Sequence, residues 1–126
     1  MEKYIINEII TRGIYYDEKN KTLVDDHPDN WTGSREVTYE STSLKTLLEK
    51  VCESLDVTYS HDSIYCINQR RSEGYTTIKM VFEKVGVFGM IGVVNKQGKT
   101  QKFVLDVAVD VKKIITTYPS IVDVES

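Results

Sequence analysis

Four short clusters in this chain hold residue types able to do chemistry: Asp25-Asp26-His27-Pro28-Asp29, Ser60-His61-Asp62, Arg70-Arg71, and the pair Asp106 and Asp110. Two carboxylates on one strand suggest a metal. Four residues of strand span roughly 13 Å, however, whereas magnesium or calcium takes oxygen ligands at about 2.0–2.6 Å. Asp110 is also suited to cap a helix starting at Val111. The Asp25–Asp29 cluster lacks the glycine that a calcium loop needs at its sixth position, and only Glu36 answers in part for the twelfth. It reads as a solvated acidic loop.

Ser60-His61-Asp62 has the composition of a hydrolase triad, but adjacent side chains diverge, while nucleophile, base and orienting acid must form one hydrogen-bonded line. The triplet reads as a turn. Cys66 lies in Ile64-Tyr65-Cys66-Ile67, which looks packed rather than electropositive and open. A chain with two cysteines, two histidines and no CxxC spacing is not expected to hold structural zinc. No dinucleotide fingerprint, phosphate loop, HExxH or GxSxG is present, and Gly86, Gly89 and Gly92 have the wrong intervals for a phosphate cradle.

Arg70-Arg71 is the one compact basic pair. Guanidinium forks suit phosphate or carboxylate, with Lys79 or Lys84 to help and Tyr75 or Phe88 as a ring to stack on. Trp31 stands in the polar stretch Asp25–Glu36 and either plugs the core, the favoured reading, or anchors a partner.

These residues need a frame. Ile5, Ile6, Ile9 and Ile10 predict an amphipathic N-terminal helix ended by Gly13, with a strand as the rival reading because isoleucine and tyrosine favour sheets. Ile14–Tyr16 and Thr22–Val24 predict a short hairpin around Asp17-Glu18-Lys19-Asn20, with Asn20 able to tolerate positive φ. Asp25–Glu36 has the composition of an irregular loop, and Val37–Glu40 returns to the sheet. Leu44, Leu47, Leu48, Val51, Cys52 and Leu55 predict a central helix over about 43–55, capped by Ser43. Val57–Ser60 and Ser63–Asn68 read as strands, and Gln69–Gly74 as a polar loop.

The longest apolar run, Val85–Val94, precedes the turn signal Asn95-Lys96-Gln97-Gly98 and an alternating segment to Val111. Counting back from that turn places Val87 opposite Val107, Val85 opposite Val109 and Phe88 opposite Asp106. One face is then apolar, and the other mixes Phe88, Met90 and Val94 with Asp106 and Asp110. Val111, Ile114, Ile115 and Tyr118 predict a short C-terminal helix over about 111–118, stopped by Pro119. The fold class is therefore α+β: one domain over 1–126, a mainly antiparallel sheet of about five to six strands, and helices at the N-terminus, centre and C-terminus.

The formal net charge is −3. Residues 1–62 hold seven basic against thirteen acidic side chains, so the acidic excess lies in that half and nucleic acid is not an expected partner. MEKYIINEII lacks the form of a signal peptide, and no apolar run reaches the roughly 20 residues of a membrane helix. Sparse cysteines fit a reducing cytoplasm.

The functional expectation is a small non-enzymatic cytoplasmic binding protein without cofactors. It would act as an inhibitor or accessory factor on a protein partner, and as a homodimer through the Phe88, Met90 and Val94 face. Its recognition residues would be Arg70, Arg71, Tyr75, Trp31, Phe88 and Asp106. The alternative is a site for an anionic or nucleotide-like small molecule at Arg70 and Arg71. A metal-dependent hydrolase using Asp106 or Asp25–Asp29 ranks last.

Overall fold

The computed structural model describes residues 2–70, 74–88 and 100–115. Among these, six strands form one antiparallel sheet: β1 (Glu2–Asp17), β2 (Thr22–Val24), β3 (Trp31–Ser41), β4 (Ile64–Arg70), β5 (Tyr75–Val87) and β6 (Thr100–Ile115). The path runs β2-β1-β6-β5-β4, and β3 pairs with the same edge of β1 as β2. The sheet curls into a half-barrel. Its concave side holds α1 (Leu44–Ser54), which buries Leu47, Leu48, Val51 and Cys52 against Ile6, Ile9, Ile78, Met80, Val107 and Val109. Each large side chain taken out of water there is worth about 1.5–3 kcal/mol.

α1 starts and stops as its residues dictate. The Ser43 hydroxyl accepts the Thr46 N–H at 3.3 Å, supplying the partner that a free helical donor lacks. At the other end Val57 N–H reaches Cys52 O at 3.0 Å and Asp56 N–H reaches Glu53 O at 3.1 Å. This paired closure requires a left-handed residue, and Asp56 takes it with φ 56°.

The helices expected at the two ends are not there. Residues 2–17 form β1, and 111–115 continue β6; 116–118 lie outside the described residues. In β1 the helix-like spacing comes from a bulge. Ile6 faces Val111 and Ile9 faces Val109, so two residues of β1, Asn7 and Glu8, stand against the single Asp110. An extra residue in one strand resets the inward parity, and Ile6 and Ile9 both point to the core although three apart. Isoleucine and tyrosine are at home in such a strand. At the other end Val111 pairs with Ile6 and Ile114 with Lys3, so long-range pairing overrides the local period, and Asp110 sits inside a strand instead of capping a helix.

The β5–β6 register also differs from the count made at the Asn95–Gly98 turn. Val87 faces Thr100, Val85 faces Lys102, Met80 faces Val107 and Ile78 faces Val109. Val107 thus meets Met80 instead of Val87. The offset is odd, and an odd slip turns every side chain of β5 to the opposite face. Asp106 consequently opposes Val81, not Phe88.

Smaller corrections concern the connections. Trp31–Glu36 belong to β3, so the loop before it is Asp25–Asn30, and Val57–Ser60 are not a strand. Gln69 and Arg70 belong to β4. The β1–β2 hairpin forms as expected, with Tyr16 facing Leu23, but the positive φ falls on Lys21, at 53°, rather than Asn20. Asp17 organises that turn by accepting from the N–H groups of Lys19 and Asn20 at 3.0 and 3.2 Å. The Asn20 contacts foremost, and then that of Lys19, hold its carboxyl below the usual carboxylate range.

Candidate functional site

With α1 in the concave side, the opposite face of the sheet is left as the broad surface. Its rows follow from the register. Arg12 of β1 faces Asp106 of β6, which faces Val81 of β5. The next row is Ile10, Ala108, Lys79 and Cys66, and on the other side lie Ile14, Val104 and Glu83. Further along, Tyr16 pairs with Leu23 and lies under Lys102, which pairs with Val85.

The centre of this face is polar and cross-linked. Tyr65 Oη donates to Asp106 Oδ1 at 2.6 Å, spanning β5 to do so, and Arg12 Nη2 stands 3.6 Å from Asp106 Oδ2. Tyr65 is the extra residue of a bulge in β4 between Ile64 and Cys66. Burial, and then donation to the Asp106 carboxylate, push the Tyr65 phenol up to about 12. Nearby, Lys102 Nζ lies 4.8 Å over the Tyr16 ring and 3.5 Å from Glu83. Thr77 Oγ1 donates to Asp110 Oδ1 at 2.6 Å.

Around these polar links the face exposes apolar side chains. Val85 is 70 % exposed, Ile10 46 % and Val81 38 %, with Leu23 also open. A sheet face presenting aliphatic groups around a fixed arginine, aspartate and tyrosine can bind by apolar contact and hydrogen bonding.

The concave side has no such polarity, since the described buried residues are all apolar. One end is closed by aromatic rings. Tyr15 stacks on His27 with centroids 4.0 Å apart, and Phe88 contacts Tyr15, His27 and Phe103 at 5.9, 6.2 and 5.2 Å. Asn30 ties the loop down, accepting from Tyr15 N–H at 2.8 Å and donating to Val24 O and Asp25 O at 2.8 and 3.0 Å. His27 Nδ1 accepts the Asp29 N–H at 3.1 Å. The Asp29 carboxylate stands 4.0 Å from the same nitrogen. Asp25–Asp29 is thus the cover of an aromatic plug, and among the described residues no three His, Cys, Asp or Glu groups are placed to hold a metal ion.

The six residues singled out from sequence do not converge. Trp31 packs against the core with its indole over Gly13, where a Cβ would overlap the ring. Phe88 is buried and cannot offer itself to a ligand or second copy; Met90 and Val94, which were to share its face, lie outside the described residues. Asp106 is on the outer face. Tyr75 is at the far end of β5, opposite Arg70, with Lys112 Nζ 5.9 Å from its ring centre. Arg71 and the side chain of Arg70 lie outside the described residues. Ser60-His61-Asp62 is a tight turn in which Ser60 Oγ accepts the Asp62 N–H at 3.3 Å.

Arg12, Tyr65, Ile10, Val81 and Val85 were missed by sequence reasoning. Their common property is cross-strand adjacency, which local spacing does not carry; a correct parity for β5 was the one signal that could have exposed Val81 and Val85. No helix among the described residues is long and apolar enough to cross a membrane. Comparison of the chain with protein-family models, with curated proteins and with solved structures returns no match.

Proposed function

We propose that this chain is a small non-enzymatic cytoplasmic binding protein, an inhibitor or accessory factor that occupies a partner protein with the outer face of its sheet. The observation that supports the reading is the division of the sheet: apolar contacts close its inner side, while the outer side leaves Ile10, Val81 and Val85 exposed around the Arg12, Asp106 and Tyr65 links. Apolar groups rimmed by polar ones mark interaction surfaces where they form a contiguous patch. The test is capture from the native cell with the whole chain as bait, in parallel with Val81→Lys. A stoichiometric protein retained by the parent chain and lost with the variant is expected. Equal retention by both, or no retained protein, overturns the reading.

A second reading is an anionic small molecule at the turn end of the β4–β5 hairpin. It is favoured by the backbone pairing of Arg70 with Tyr75 and by Lys112 beside that ring. Against it, Glu8, Glu36 and Asp110 line the depression that Tyr75 borders. A nucleotide panel should raise the melting temperature by mass action if this reading holds, and no shift with any phosphate compound removes it.

A further inference from the structure

The two borders of the sheet are built differently. On one side β2 is three residues long, and β3 carries Arg35, Glu36 and Glu40. Short strands and charged side chains are the usual means of keeping a border from pairing with another chain. β4 has neither. From Ile64 to Gln69 it holds no charge and no proline, and among the described residues it pairs only with β5. Ile67 is 59 % exposed on this border, and Asn68 and Gln69 are exposed beside it. The bulge lies at the start of the strand, so Cys66 to Arg70 pair with β5 in unbroken register.

Unpaired backbone N–H and C=O groups along such a border are satisfied best by another strand. Which strand fits is suggested by charge. Asp62 stands just before β4, in the turn His61–Ser63, and Arg70 is its last residue. Two copies laid antiparallel bring the acidic end of each to the basic end of the other, whereas a parallel arrangement sets like against like. Antiparallel pairing is also the rule within this sheet, and a twofold axis satisfies both copies at once.

We propose that β4 pairs antiparallel with β4 of a second copy of this chain, joining two half-barrels into one continuous sheet. The interface is separate from the outer-face surface, because Ile67 faces Ile78 on the inner side of the sheet. The experiment is sedimentation equilibrium on the full chain at micromolar concentration. The parent chain should be a dimer. Ile67→Lys should raise the dimer dissociation constant at least tenfold with an unchanged circular dichroism spectrum, and Val85→Lys, on the outer face, should leave it unaltered. Asp62→Lys should weaken the dimer, and Asp62→Lys with Arg70→Glu should restore it. A monomeric parent chain, a dimer indifferent to Ile67→Lys, or a double variant no stronger than Asp62→Lys alone overturns the proposal.

Discussion

Val107 and Asp106 are neighbours in the chain and sit on opposite faces of the same strand, in environments with little in common. Val107 is fully buried between Met80 and the inward side of β1, while Asp106 stays within reach of solvent and holds Arg12 and Tyr65. The inner face is closed by apolar packing, where any missing methylene leaves a void. The outer face is a lattice of cross-strand links with exposed side chains such as Val81 and Val85 between them.

Thiol chemistry should separate the two faces most widely. Cys52 lies in α1 against the core, and burial, with a smaller part from Glu49, pushes its thiol up to about 11. Cys66 is half-buried in a border strand. An aromatic disulfide reagent should react first with Cys66, and with Cys52 only through global opening. At a stability of about 5 kcal/mol this slows Cys52 by roughly three to four orders of magnitude. Comparable rates for the two thiols would dissolve the distinction.

Truncations should repeat the contrast on a smaller scale. Met80→Ala removes a fully buried side chain and should cost about 2–5 kcal/mol in urea unfolding. Its neighbour Val81→Ala, on the other face, should stay within about 0.5 kcal/mol. Gly13→Ala falls between them, at about 1–3 kcal/mol, because the added methyl overlaps the Trp31 indole. Trp31→Leu should recover part of that loss, and the tryptophan emission of Gly13→Ala should shift to the red as the ring is displaced.

The smallest effect tests the polar centre. A phenol whose folded pKa lies above its unfolded value near 10 binds its proton more tightly in the folded state. Tyr65 therefore contributes stability that is whole below about pH 10 and lost as pH rises toward about 12. The stability difference between the parent chain and Tyr65→Phe should narrow over that window, and Asp106→Asn should bring the Tyr65 absorbance titration down toward 10. A Tyr65 that titrates near 10 in the parent chain would show that neither its burial nor its link to Asp106 persists in solution.

α1 and β1 show how far local pattern reaches. In α1 the leucine stripe at helical spacing, the Ser43 cap and residues of good helix propensity agree, and the element is where the pattern puts it. In β1 the isoleucines carry a similar spacing, yet the residues belong to a strand bent by a bulge at Asn7 and Glu8. Residue type already favoured the strand there. The ambiguity arises because a bulge inserts an odd step into a period of two, and over a few residues that imitates a turn of helix.

What the sequence by itself determined is what local physics controls: α1 and its cap, the β1–β2 hairpin, the turn at Ser60-His61-Asp62, and the inward alternation Phe103, Leu105, Val107, Val109 along β6. What only the tertiary structure decided is which strands meet and in which register. β1 finds β6 from the other end of the chain, and β5 meets β6 an odd number of residues from the count a tight turn implies. Such pairings are set by the packing of the whole inner face around α1, and that information is distributed over residues far apart. The outer face, assembled from Arg12, Tyr65, Val81 and Asp106 on four different strands, exists only once that packing is complete.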